Sequence, residues 1–165
     1  QNLSQEGSRQ TKRIHRLSLQ LVQVLVNTIE ARDKRLDGHS ERVADYAWEI
    51  ANRMGKSAEQ KENIYYTGLL HNIGHIGIPD EILNKQGSLT EAEEEIVQQG
   101  TVLGANILKD VTELPDLWQG AKYHKEKYDG TGYSDGLKGT AIPEAARILA
   151  VACSYDLLTS GEKQL

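Results

Sequence analysis

Histidines provide the most conspicuous chemistry in this chain, beginning with the stretch LLHNIGHIGIPDEIL at 69–83. His71 and His75 stand four residues apart there, and Asn72 directly follows the first. Imidazole nitrogens commonly bind transition metals, whereas an amide offers a hard cation only a neutral carbonyl oxygen. The two histidines would share one helix face only if a helix continued through Gly74, which the glycine disfavours. The stretch therefore indicates candidate metal ligands that lack a neighbouring carboxylate.

The other candidates are spread along the chain and form no short motif. His39 follows Gly38, and His124 precedes a glycine-rich segment. No HExxH, CxxC or P-loop sequence is present, so local spacing alone does not settle the chemistry. Any site must be built from elements that are distant in sequence.

The composition is typical of one soluble domain, with 165 residues of which 38% are hydrophobic and 26% charged. A net charge of -5 without a basic block argues against generic nucleic-acid binding. The single cysteine, Cys153, excludes an internal disulfide and is typical of a reducing compartment. No apolar run approaches the ~18 residues of a membrane span, so no membrane insertion is expected.

Helical periodicity without strand-like alternation predicts an all-α domain over 17–165, after a loose lead-in at 1–16. Helices are predicted from about residue 13 to residue 29, and at about 39–54, 57–71, 90–100, 101–109, 115–124 and 144–160. An apolar stripe on the first helix is formed by Leu17, Leu21, Val24, Leu25, Thr28 and Ile29. Core packing is the favoured interpretation of this stripe, and pairing with another copy of the chain is the alternative.

Several segments together resemble the HD-GYP domain, from about Leu25 to the end. They are GHSERVADYA (38–47), LLHNIGHIGIPDEILNKQGSLTEAEEE (69–95), LGANIL (103–108), YHKEKYDGTGYSDGLKGTAIPEAARILAVA (123–152) and SYDLLTS (154–160). The resemblance implies an HD-superfamily helical bundle with a glycine-rich GYP loop. It also implies a bi- or trinuclear iron or manganese centre and hydrolysis of cyclic di-GMP in the bacterial cytoplasm.

The chain departs from this pattern at most of the positions that build the family's metal centre. Of eight such positions, the matching residues are His39, His71 and His124. The altered positions are Arg35, Asn72, Gly100, Lys125 and Cys153, while His75 replaces a lysine and Ser134 the proline of the GYP triplet. The expected carboxylates at positions 35, 72 and 153 are therefore missing.

These losses favour a degenerate domain that acts as a ligand sensor or protein-interaction module without effective phosphodiesterase activity, and with no cofactor. Lys125, Arg147 and Tyr133 are then candidate contacts for cyclic di-GMP or another phosphorylated ligand. The resemblance also suggests protein partners for the GYP loop, including GGDEF-domain proteins.

Two alternatives remain open. His39, His71 and Cys153 could form a single zinc site that supports hydrolysis, since nitrogen and sulfur ligands suit Zn²⁺. A structural dimerisation or output domain, paired through the helix at 17–29, is the other. After LLTS the family usually continues with an Arg-Pro-Tyr segment, whereas this chain reads GEKQL, so its C-terminal part is expected to be truncated.

Overall fold

The computed structural model describes residues 2–160, which form seven α-helices joined by turns and short 3-10 segments. The helices are α1 (Asn2–Glu30), α2 (His39–Arg53), α3 (Ala58–Leu70), α4 (Asp80–Leu83), α5 (Glu91–Leu108), α6 (Asp116–Tyr123) and α7 (Glu144–Ser160). The 3-10 segments are Lys34–Leu36, Ile73–Gly77 and Gly139–Ala141. No strand occurs among the described residues, and the all-α fold class is confirmed. Within the same residues, no helix is long and apolar enough to cross a membrane.

Two predicted helix starts are confirmed by capping boxes. At α3, the Ser57 hydroxyl accepts from the Gln60 amide at 3.2 Å, and the Gln60 side chain accepts from the Ser57 amide at 3.0 Å. Thr90 and Glu93 make the same reciprocal pair at α5. Because such pairs satisfy backbone N–H groups that have no partner inside the helix, they fix the first residue of each helix.

The start of α2 is fixed by a residue from the end of α1. Gly38 has φ 71°, a left-handed conformation that suits glycine. Both oxygens of the buried Glu30 carboxylate accept backbone N–H groups here, from Gly38 at 3.1 Å and from Ser40 at 2.9 Å. Negative charge at a helix N-terminus is favourable, so Glu30 holds the turn that presents His39.

The hydrophobic core consists of clusters on either side of α2 and α3. Val43 of α2 and Leu149 of α7 belong to one cluster. Ala44 of α2, Leu69 of α3 and Ala121 of α6 belong to a second, which also receives Val26 from α1. Since α2, α3, α6 and α7 meet in these clusters, the ends of the helices that carry histidines are brought close together.

Helix α5 runs unbroken through Gly100, so the predicted division at that glycine is wrong. The 3-10 segment Ile73–Gly77 crosses α5 there at close range. A Cβ on Gly74 would overlap the carbonyl oxygen of Gly100, and Gly104 also contacts Gly74. The glycines are needed because two backbones approach each other, and not because the helix ends.

The N-terminal residues are helical, although a loose lead-in at 1–16 is expected from the sequence. Helix α1 begins at Asn2, and all side chains from residue 2 to residue 18 are exposed. A helix satisfies its own backbone hydrogen bonds, so this segment is regular although its side chains are exposed. The expected C-terminal truncation concerns residues 161–165, which lie outside the described residues.

The interpretation of the α1 stripe as a core face is wrong for most of its members. Leu17, Leu21, Val24 and Leu25 are 52%, 57%, 60% and 52% exposed. Their neighbours Leu19, Val22 and Val26 pack on the domain instead. The helix therefore has two apolar faces, and the stripe that the periodicity emphasises is directed to solvent.

Candidate functional site

Three buried side chains from separate helices converge beneath the surface of the domain. His39 is the first residue of α2, His71 directly follows α3, and Cys153 lies within α7. Their ligand atoms all lie within 4.8 Å of one another. The Sγ atom of Cys153 is 3.4 Å from Nε2 of His71. The set proposed from sequence as a single metal site is thus brought together in space.

The tautomer of His71 follows from its hydrogen bond. Its Nδ1 lies 2.6 Å from the carbonyl oxygen of Gly68, which can only accept, so Nδ1 carries the proton. Nε2 of the neutral ring is then an unprotonated lone pair directed toward Cys153. This arrangement, in which the second ring nitrogen is held by a backbone carbonyl, is common for histidines that bind metals.

His39 is oriented by the buried carboxylate of Asp156. Nδ1 of His39 lies 2.7 Å from Oδ2 of Asp156. Arg42 donates to the same carboxylate, through Nε to Oδ1 at 2.7 Å and through Nη2 to Oδ2 at 3.1 Å. Burial alone would raise the pKa of Asp156, but the hydrogen bonds from Arg42 and His39 outweigh it and lower this pKa. Asp156 therefore remains ionised and fixes the ring of His39.

His124 adds a third imidazole next to this group. Its Nδ1 donates to the carbonyl oxygens of Gly120 and Ala121, each at 3.0 Å. Its ring centroid lies 5.0 Å from that of His71. Because Nδ1 carries the proton here too, Nε2 is the nitrogen left free to accept.

Burial favours the uncharged forms of His71, His124 and Cys153. Burial and then the neighbouring imidazoles lower the pKa of His71 well below its usual value, and burial and Lys125 lower the pKa of His124 to about 3. Burial raises the pKa of the Cys153 thiol to about 12, against an opposing effect of Lys125. At neutral pH the protein alone therefore presents neutral imidazoles at His71 and His124 and a thiol at Cys153. A bound metal ion would shift this balance, because coordination removes the proton from a thiol.

Lys125 brings a cationic group to the same place. Burial lowers its pKa, while its charge in turn lowers the pKa values of His124 and His75, the latter to about 4, where burial is again the larger cause. Among residues 2–160, no carboxylate forms an ion pair with this ammonium. Lys125 is thus electrostatically coupled to the histidines without a neutralising partner.

A cavity of about 30 Å³ opens beside these residues. It is lined by most of the positions singled out from sequence, namely His39, His71, Asn72, His75, Gly100, His124, Lys125 and Tyr133. Asp33 provides the single carboxylate of the lining. That carboxylate is engaged by Arg35, through Nε to Oδ1 at 3.0 Å and Nη2 to Oδ2 at 3.1 Å. The space suits an ion with a water molecule, and not a nucleotide.

Two larger clefts lie beside the cavity and share Tyr133 with it. One, of about 1090 Å³, includes Arg35 and Lys85 in its lining. The other, of about 630 Å³, is lined by residues that include His124, Lys125, Cys153 and Arg147. Arg35 and Arg147 do not line the small cavity, and each lines one of the two clefts. Nε of Arg147 also donates to the carbonyl oxygen of Ile142 at 3.1 Å.

Sequence reasoning missed the carboxylates that organise the site. Asp156 stands three residues after Cys153, a spacing that places both on one helix face, and this was the available signal. Asp33 gave no such signal, because its partner Arg35 is only two residues away, in the 3-10 segment Lys34–Leu36. Glu126 is also buried, and its Oε1 accepts from the Asp135 amide at 2.7 Å, which ties the glycine-rich loop to the end of α6.

The comparisons with known proteins agree with this fold. A family model described as an HD domain matches residues 23–164. A cyclic di-GMP phosphodiesterase of Thermotoga maritima is 41% identical over 144 residues, which is 86% of this chain and 39% of the relative. The cyclic di-GMP phosphodiesterase response regulator RpfG of Xanthomonas campestris is 39% identical over 139 residues, or 82% of this chain and 36% of the relative.

A third relative is named for a different nucleotide. The 3'3'-cGAMP-specific phosphodiesterase 1 of Vibrio cholerae is 33% identical over 141 residues, covering 86% of this chain and 33% of the relative. The chain thus spans about two fifths or less of these relatives. The chain belongs to the HD domain family and is a member of its HD-GYP branch.

Proposed function

We propose that this domain binds a cyclic dinucleotide of the cyclic di-GMP class in bacterial cytoplasmic signalling, without hydrolysing it effectively. It would then act as a ligand sensor or protein-interaction module. The observation that carries the proposal is the environment of Lys125. Its ammonium lies in a cavity whose one lining carboxylate, Asp33, is already paired with Arg35.

Hydrolysis of such a nucleotide at a two-metal site depends on holding both cations. A pair of metal ions activates water and neutralises the phosphate in the transition state. Carboxylate ligands normally offset the repulsion between the two ions. In this cavity the one lining carboxylate, Asp33, is already paired with Arg35, and the Lys125 ammonium would add to the repulsion between two divalent ions. The donor set of this cavity therefore does not suit a binuclear iron or manganese centre.

The same cationic groups favour binding of phosphate. Lys125 and Arg147 line one cleft and Arg35 the other, while Tyr133 lies between them. A cyclic dinucleotide carries two phosphates and two flat bases. Cationic side chains on either side of an aromatic ring match that arrangement. Binding without cleavage is the function that these contacts support best.

Calorimetric titration with cyclic di-GMP and 3'3'-cGAMP, together with chromatography of incubated nucleotide, tests this proposal. We expect micromolar or tighter binding of at least one nucleotide, and no linear product with manganese, iron or zinc. Lys125→Gln should weaken binding at least tenfold, while Lys109→Gln, at an exposed position, should not. Metal-dependent linearisation that is abolished by chelator and by His71→Ala would overturn the proposal.

The second candidate is a hydrolase with an altered single-metal centre. The convergence of His39, His71 and Cys153 within 4.8 Å favours it. A metal with an open coordination position supplies activated water, and the chain's own residues would bind and orient the substrate. Linearisation that requires one metal ion per chain and is lost in Cys153→Ala would select this candidate over the first.

We also propose a second copy of the chain as a partner, through the exposed face of α1. Ile14, Leu17, Leu21 and Val24 are spaced by three, four and three residues, and all are more than half exposed. This is the spacing of a two-stranded coiled-coil seam. The glycine-rich loop is a separate candidate surface for GGDEF-domain or other signalling proteins.

A further inference from the structure

We infer that a cleft between α1, α2 and α3 binds a small organic cation that carries a guanidinium or ammonium group. The cleft encloses about 430 Å³, within the range of ~300–1,000 Å³ that is usual for small-molecule sites. It shares no lining residue with the histidine cavity or with the two clefts beside that cavity, so the inference goes beyond the proposed function. Its lining is mainly aromatic and acidic, and includes Asp45, Trp48, Glu62, Tyr65 and Tyr66.

Three aromatic rings from two helices line the cleft. Trp48 belongs to α2 and is 37% exposed, while Tyr65 and Tyr66 belong to α3. The faces of such rings carry partial negative charge and attract cations, the indole ring most strongly. The chain already makes one contact of this kind, since the Lys61 ammonium lies 4.9 Å from the centre of the Trp48 ring. The aromatic lining therefore favours an organic cation over an anion.

Two carboxylates in the same lining carry the charge that complements such a ligand. Asp45 comes from α2 and Glu62 from α3. Within the described part of the chain, Asp45 takes part in no ion pair. Glu62 lies 2.9 Å from Nε2 of His15, but these side chains are 44% and 57% exposed, so a ligand can displace the imidazole. Both carboxylates can thus accept hydrogen bonds from an ammonium or guanidinium group.

The two tyrosines lie in a negative electrostatic potential. Burial, and then the charges of Asp45 and Glu41, raise the pKa of Tyr65. Burial, and then the charge of Glu62, raise the pKa of Tyr66. A potential that opposes ionisation of a phenol also attracts a cation. At neutral pH both phenols are uncharged, and their oxygens can accept hydrogen bonds from the ligand.

The position of the cleft gives a bound cation a structural effect. His15 and Leu19 of α1 contribute to the lining, while the rest of it belongs to α2 and α3. A ligand would therefore contact α1 and the body of the domain at the same time. We expect it to stabilise the packing of α1 on the domain.

The test is a nuclear magnetic resonance titration of the full chain with agmatine, which carries a guanidinium and an ammonium group on a short alkyl chain. The chain has two tryptophans, Trp48 and Trp118, so it gives two indole N–H signals. Trp118 packs on the core and does not line the cleft, which makes its signal an internal control. We expect the Trp48 signal, identified by its loss in Trp48→Leu, to shift and saturate with a Kd of about 1 mM or tighter. The Trp118 signal should stay in place.

A matched pair of variants tests the charge of the cleft. Asp45→Asn should weaken agmatine binding at least about fivefold, because a charged acceptor is lost. Asp110→Asn, at an exposed position outside the cleft, should bind agmatine like the wild type. An unchanged Trp118 signal in Asp45→Asn shows that this variant is folded.

Four results would overturn the inference. They are an unchanged Trp48 signal, an equal shift with the uncharged analogue N-butylurea, equal affinity in Asp45→Asn, and binding of a tetra-arginine peptide but not of agmatine. The last result would assign the cleft to a basic protein partner. The wild type alone provides three of the four, so poor folding of a variant does not leave the inference untested.

Discussion

Asp156 shows how one residue controls a site that it does not line. It is 1% exposed, lies 2.7 Å from Nδ1 of His39, and receives two hydrogen bonds from Arg42. The carboxylate therefore determines which nitrogen of His39 can bind a metal. It acts by positioning the ring, while the ligand atoms are contributed by other residues.

Under the single-metal candidate, replacing Asp156 by asparagine should weaken zinc binding about 10- to 100-fold, because the ring of His39 loses its charged acceptor. The same change should lower the free energy of unfolding by about 1–3 kcal/mol, since Arg42 and His39 lose hydrogen bonds to a charged group. Competition with a chromophoric chelator measures the affinity, and urea unfolding measures the stability. Asp45→Asn, at an exposed position of α2, serves as the control.

Zinc affinity unchanged in Asp156→Asn would contradict a positioning role. A loss of stability alone would reduce Asp156 to a structural residue. The two readouts are separable because metal affinity can be measured at a temperature where both proteins are folded.

At the scale of an element, the position of the cavity depends on how the segment Ile73–Gly77 crosses α5. His71 and Asn72 lead directly into this segment, so its path determines where the cavity wall stands. That path is possible because Gly74 packs against the backbone of Gly100 and Gly104 without a side chain between them.

Two alanine substitutions on opposite sides of this crossing should change the free energy of unfolding by different amounts. Gly74→Ala places a Cβ on the Gly100 carbonyl oxygen and should destabilise the domain by about 3 kcal/mol. Gly100→Ala places its Cβ at ordinary contact distances of 3.4 Å and 3.6 Å from Ile78 and Gly74. It should be neutral or stabilising by up to about 1 kcal/mol, because alanine favours the helix. Urea unfolding of both variants measures the difference, and equal effects would contradict the assigned backbone contact.

Patterns of residues close together in sequence predicted the helices better than they predicted the contacts between helices. Ser57 and the start at Thr90 were found because capping depends on residues three positions apart in sequence. Gly100 was wrongly predicted to end a helix. Gly74 approaches its backbone closely, and local sequence does not reveal that tertiary contact. The convergence of His39, His71 and Cys153 was inferred from a family resemblance, since neither composition nor periodicity brings three distant segments together.

At the scale of the whole molecule, α1 is a helix whose residues are mostly exposed and not packed on the domain. Its C-terminal half packs on the core through Leu19, Val22 and Val26, and Glu30 holds the start of α2. The family match begins at residue 23, within this helix. The exposed seam from Ile14 to Val24 therefore lies mostly outside the part shared with the family model.

A second copy is the occupant that best fits this seam. Positions 14, 17, 21 and 24 alternate by three and four residues, and Leu3 extends the same register toward the N-terminus. The flanking positions that would face a parallel partner include Ser18, Gln20 and Leu25, so no like charges oppose each other there. The same helix of a second copy presents the same apolar residues and can therefore pack against this seam.

Replacing Leu17 and Leu21 together by glutamate should convert a dimeric wild type into a monomer, because four carboxylates would be placed in one seam. Light scattering coupled to size-exclusion chromatography at several concentrations measures the mass. Leu158→Glu, at a leucine on α7 that is 85% exposed, should leave the dimer intact. A wild type that stays monomeric at high concentration would contradict the pairing.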